Sequence, residues 1–150
     1  MPAGNPPIRR HALLACKPFS ARADAGRVAA ALAAGLVAGG APAPDAVELP
    51  GDAEDRDAAA LLAGAGLHER MLASRAVIVA VPALAEDTLA GSAAFEVATL
   101  ARQSGVPCYA VAAKVALNEF DLRILDLQVV IRARGEAALR RAGEQLAAIV

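Results

Sequence analysis

The chain carries only two lysines, Lys17 and Lys114, and each follows a short apolar run that reads as a β-strand. Ligands of an open parallel sheet bind outside the carboxyl ends of its strands. Two cations at such ends, with Ser20 close to the first, are the residue types that hold a small anion such as a carboxylate or phosphate, helped by helix N-termini near Ala23 and Thr88. The plainer alternative is a pair of loop charges standing in water, the commoner fate of lysine and the favoured reading of the two. Two acidic groups fall at other strand ends, Asp52 with Glu54 and Glu86 with Asp87. Adjacent acids can do general acid–base work, yet carboxylates beside Thr88 are first of all helix caps. The candidate ligand-binding set is therefore Lys17, Ser20, Asp52, Asp87 and Lys114, with no catalytic residue and no metal ligand among them.

The remaining reactive side chains offer less. Cys16 lacks a base evident in the sequence and reads as a small buried residue at a strand end. Cys108, His11 and His68 do not combine with it at any metal-ligand spacing. His11 opens a strand, His68 lies on a short exposed helix, and Arg132, Arg134, Arg140 and Arg141 read as a solvated loop and helix face.

Alternating strands and helices must position these groups. His11 to Cys16 is a buried strand, preceded by a loose tail from Met1 to Arg10. From Asp24 as N-cap to a stop at Gly39-Gly40, Val28, Leu32, Gly35 and Leu36 share one helical face. Ala46 to Pro50 is a second strand and Asp52 to Leu62 a helix with acids in its first turn. A helical turn over His68 to Ala73 leads into Ser74 to Pro82, whose unbroken apolar, β-branched run marks a central parallel strand covered on both faces. Then come a helix over Thr88 to Ser104, with Asp87 as candidate cap and Gly105 as its stop, and a strand over Val106 to Ala112. Ala116 to Leu125 is a short helix and Leu127 to Ile131 a fifth strand. Glu136 to Val150 is a last helix with Leu139, Leu146 and Ile149 inward. The order predicts one doubly wound, Rossmann-like α/β domain over residues 11–150, with about five parallel strands and helices on both faces.

Composition narrows the function classes. A length of 150 residues suits one domain, and a formal charge of -1, from 15 Lys+Arg against 16 Asp+Glu, leaves no footprint for nucleic acid or an anionic membrane. Four aromatics are too few for base stacking. The longest apolar run, Ala76 to Leu84, falls well short of a membrane span of ~20 residues. The apolar stretch before Cys16 is likewise shorter than the ~7–15 residues of a signal segment. Two cysteines without a disulfide pattern fit the cytoplasm.

Two blocks resemble the bacterial glycerate kinases, which phosphorylate glycerate with ATP. That family shows APDSFKGSLSA followed by EVAxAIxxG. The chain has ACKPFSARADAGRVAAALAAG from Ala15 to Gly35, keeping Ala15, Phe19, Ala25, Val28, Ala29, Ala31 and Gly35. The family's ITGEGRLDxQTLxGKxP, helix and GVPV are matched by Val77 to Cys108, keeping Leu84, Thr88, Leu89, Gly91, Val97, Ala98, Gly105, Val106 and Pro107. The chemistry-bearing positions depart from the pattern. Lys17 and Ser20 stand where the family has the aspartate and lysine of DSFKG. Ala80, Val81, Pro82, Ala83 and Ala85 stand in its GEGRLD segment, and Ser92 replaces the lysine after TLxG. Of the DGGEGT loop only Asp52 and Glu54 persist within GDAEDRD. The family's second domain would fall between Gly66 and Leu72, and this chain has no room for it.

Phosphoryl transfer needs cations or Mg²⁺ to neutralise developing charge and carboxylates to hold metal or hydroxyl. Valine and alanine for those acids, and lysine for aspartate, remove that capacity, and no Walker A run replaces it. The resemblance therefore implies a non-catalytic glycerate-kinase-like domain in the cytoplasm, acting in assembly as a homodimer or in binding a small anionic metabolite. It needs no cofactor and binds neither nucleic acid nor membrane. The alternative is residual glycerate kinase activity, with ATP and Mg²⁺ as cofactors.

Overall fold

Val77, Ile78 and Val79 lie at the centre of the sheet and are buried on both sides, as a β-branched apolar run requires. The computed structural model describes residues 11–49, 66–85 and 92–150. Strands β1 (Ala12–Cys16), β2 (Asp45–Glu48), β3 (Ala76–Ala85), β4 (Cys108–Ala116) and β5 (Leu127–Arg132) pair in parallel throughout, in the order β2-β1-β3-β4-β5. The helices are α1 (Ala25–Ala38), α2 (Leu67–Leu72), α3 (Ala93–Ser104), α4 (Glu119–Leu125) and α5 (Glu136–Ala147). Leu32, Leu36, Leu139 and Leu146 bring α1 and α5 onto one face, while Leu67, Met71, Val97 and Leu125 bring α2, α3 and α4 onto the other. This is a doubly wound, Rossmann-like α/β fold.

Helix ends follow local chemistry. The Asp24 carboxylate accepts the Arg27 N–H at 2.8 Å and starts α1, while Gly39 ends it by donating to the Gly35 carbonyl. Gly105 ends α3 at φ 70°, in the left-handed region that glycine enters without strain.

Several bounds differ from the sequence expectation. The cap of α3 is Ser92, whose hydroxyl accepts the Phe95 N–H at 3.2 Å, rather than Asp87. The α4 helix starts at Glu119 behind the Asn118 cap, not at Ala116, because β4 runs on through Ala116. Strand β3 continues past Pro82 to Ala85 alongside it. The last helix closes at Ala147, and Ile149, expected inward, is 49% exposed. The tail before His11, the Asp52 to Leu62 helix and the residues around Asp87 lie outside the described residues.

Pro82 changes which way β4 faces. Val77, Val79 and Val81 point into the α2/α3 layer, but so does Leu84, three residues on rather than two or four. The partner strand repeats the slip, with Ala110, Ala112 and then Val115 in the same layer. Pro82 has no N–H for the ladder, and the pairing keeps one register on both sides of it, Val81↔Ala112 before and Ala83↔Lys114 after, so the two strands change facing together. Strict alternation from Ala112 would send Lys114 into the α2/α3 layer. After the slip it belongs to the α1/α5 side.

Candidate functional site

The strand order reverses at β1, which lies between β2 and β3, so the crevice of a doubly wound sheet opens at the carboxyl ends of β1 and β3. A cleft of about 820 Å³ lies there. Its floor comes from the strand ends: Phe19 and Ser20 after β1, Pro82 and Ala83 in β3, Ala113 and Lys114 in β4. Its walls are α1, through Arg27, Val28, Ala31 and Ala34, and the start of α5, through Glu136, Leu139 and Arg140.

A tight loop shapes the β1 side. Phe19 N–H donates to the Ala23 carbonyl at 2.8 Å and Ala23 N–H to the Ser20 carbonyl at 3.1 Å. This turns the chain directly into α1 and leaves Ser20 exposed at the cleft. Arg22, in the same loop, also lines it. On the opposite side β5 ends at Arg132, and Arg134 and Gly135 lead into α5. Gly135 is the N-cap of α5 and offers no side-chain acceptor to its first N–H groups, whereas α1 is capped by Asp24.

Charge around the cleft is one-sided. Among the described residues, Arg22, Arg27, Lys114, Arg134 and Arg140 line it, against the single carboxylate of Glu136. Lys114 and Arg134 also border a neighbouring hollow together with Arg132. Among the described residues, these cations gather at one end of the sheet.

Of the five expected site residues, the structure brings Ser20 and Lys114 together in this cleft. Lys17 is not among the lining residues. It was expected as a solvated loop charge, but it is 4% exposed. The reason is that the ladder runs past β1: Lys17 N–H donates to the Ala80 carbonyl at 2.8 Å, and Leu49 N–H to the Cys16 carbonyl at 2.7 Å. Asp52 and Asp87 lie outside the described residues, as do Glu54 and Glu86. The arginines at 134 and 140, read from the sequence as a solvated face, border the cleft. Arg134 stood at a strand end like Lys114 and was open to the same reasoning. The contribution of α1 depended on which helices meet across the sheet, which the sequence does not state.

Other reactive groups do not converge. Burial pushes the Cys16 thiol up to about 12, with Glu48 adding to the shift, and burial then Asp126 do the same to Cys108. Neither is a nucleophile near neutral pH. His68 Nδ1 lies 3.4 Å from Ser104 Oγ on the exposed surface. Among the described residues no three His, Cys, Asp or Glu side chains form a metal-binding group, and no helix is long and apolar enough to cross a membrane. Among the described residues, the ends of β1 and β3 present Lys17, Pro82 and Ala83, while Glu86 and Asp87 fall outside them.

No family model matches the chain, and no curated protein matches it. Among solved structures it is similar to a Burkholderia pseudomallei K96243 protein provisionally named pilus assembly-related, at 19% identity and a TM-score of 0.51, over 97% of this chain and 96% of that one. A likeness at that identity shows the fold alone.

Proposed function

We propose that the chain is a non-catalytic, glycerate-kinase-like module that binds a small anion at the carboxyl ends of its sheet. The observation that carries this reading is the charge of the cleft, where the described residues set five cationic side chains against one carboxylate around the topological switch point. Cations at the mouth of a cleft focus the field on an entering anion. The first N–H groups of α5, free of a side-chain cap, add donors of the kind phosphates and carboxylates accept from. Under the glycerate kinase resemblance, the loop after β1 is the family's substrate loop, here with Ser20 in place of a lysine. Two buried free thiols are in keeping with a reducing, cytoplasmic setting.

Thermal unfolding with millimolar phosphate, glycerate or ATP tests the reading. A ligand at ten times its Kd raises Tm by about 3–5 °C for a chain of this size. An unchanged Tm with all three overturns it.

One observation favours a second reading, in which the domain assembles as a homodimer. Phe120 is 69% and Ile124 44% exposed, one turn apart on α4, where only Leu125 is buried. Contiguous exposed apolar surface marks association sites, and these two side chains lie a turn apart on one helix. Light scattering at micromolar concentration decides, a dimer supporting the reading and a monomer overturning it.

A further inference from the structure

We propose that the anion taken by the cleft is an amphiphile, a phosphate or carboxylate head on a hydrocarbon body. This inference rests on the anion-binding reading and narrows its ligand. A cleft of about 820 Å³ falls in the size range of sites for drug-sized molecules. A lone phosphate or glycerate would leave most of it to water. The lining divides by chemistry. Its charges lie on the loop after β1, near the ends of β4 and β5, and on the exposed sides of α1 and α5. Between them lies a wall of Phe19, Val28, Ala31, Ala34, Pro82 and Leu139.

The uncharged polar side chains in that lining decide the ligand's body. Among the described residues, Ser20 is the single one. A sugar or nucleobase lying along the wall would bring several donors and acceptors out of water against side chains that offer none, at a cost for each left unpaired. A hydrocarbon chain brings none. Its head belongs beside Lys114 and Arg134, which approach each other closely enough to border a second hollow in common. Its tail then runs between α1 and α5 toward Ala34. The slip at Pro82 makes this division, because it sets Lys114 on the helix side where the apolar wall begins.

Isothermal titration of the full chain with n-octyl phosphate, inorganic phosphate and 1-octanol tests the proposal. Each buried methylene tightens binding about fourfold, so burying half the tail makes octyl phosphate at least about a hundredfold tighter than phosphate. The double variant Lys114→Gln with Arg134→Gln weakens octyl phosphate about tenfold and leaves octanol unchanged. Ala34→Glu, at an exposed helical position, weakens octyl phosphate by a larger factor than phosphate. Equal affinity for phosphate and octyl phosphate overturns the amphiphile and leaves the anion site standing. Equal affinity for octanol and octyl phosphate overturns recognition of the head. Failure of both phosphate and octyl phosphate to bind overturns the proposal and the anion reading beneath it.

Discussion

Gly35 of α1 and Gly143 of α5 meet backbone to backbone where the two helices cross on the sheet. A Cβ built on Gly35 would stand 2.9 Å from the Gly143 Cα and overlap the Arg140 carbonyl oxygen, and one on Gly143 would overlap the Leu32 carbonyl. The crossing sets the spacing between α1 and α5, and therefore the width of the cleft their earlier turns enclose.

Gly35→Ala should cost about 3 kcal/mol, because the obstacle is backbone that no rotamer change can move aside. Gly143→Ala should cost a similar amount. Gly26→Ala is the contrast: its Cβ would meet the end of the Glu48 side chain at 3.1 Å, which can swing away, and helix propensity favours alanine by up to about 1 kcal/mol. Urea unfolding of the three variants separates these effects. Equal stability of Gly35→Ala and the parent would remove the crossing as the element that sets the cleft.

The helix cap gives a smaller, local effect. Ser92→Ala leaves the Phe95 N–H without its acceptor at the start of α3 and should lower stability by about 1 kcal/mol, as should Asp24→Ala at α1. Unchanged stability of Ser92→Ala by urea unfolding would remove that bond as what starts α3.

Much of the architecture was legible because its signals are local. Val77 to Val81 declared a strand buried on both faces, Asp24 and Gly39 bracketed α1, and Gly105 closed α3. Gly35 was legible as part of the buried face of α1, but its partner Gly143 was not, since a close helix crossing requires knowing which helices are neighbours. The cleft was half legible for the same reason. Lys114 drew notice as a cation at a strand end, yet its orientation depends on a change of facing at Pro82 shared by two strands in unbroken register. Lys17 misled because a strand end at the middle of a sheet is still flanked by two neighbours, so its side chain is enclosed.

The thiols should be silent in the native protein. Burial holds both Cys16 and Cys108 at about 12, so a disulfide reagent at pH 8 should label neither within minutes, and both at once in denaturant. The sign of the linkage follows. The unfolded chain loses these protons near the ordinary thiol value of about 8.5, while the folded chain keeps them to about 12. Their stabilising effect is therefore whole below about pH 8.5 and declines as pH rises toward 12. Rapid native labelling of Cys16 would show that the end of β1 opens on its own.

The Asp45–Arg70 pair ties β2 to α2 and should make stability depend on acid. Arg70 Nε donates to Asp45 Oδ2 at 2.8 Å, and Nη2 donates to Oδ1 at 2.5 Å and to the Ala46 carbonyl at 2.7 Å. The Arg70 hydrogen bonds are the largest cause holding the Asp45 carboxyl below its ordinary value. A depressed carboxyl stabilises the fold above the unfolded value of about 3.9 and loses that effect as pH falls through the folded one. Both side chains are about one-third exposed, at 36% and 33%, so water screens the pair to about 0.5–1 kcal/mol. Asp45→Asn should be less stable than the parent by that amount at pH 7, and the gap should close near pH 2. An equal gap at both pH values would assign the loss to packing at the edge strand rather than to the ion pair.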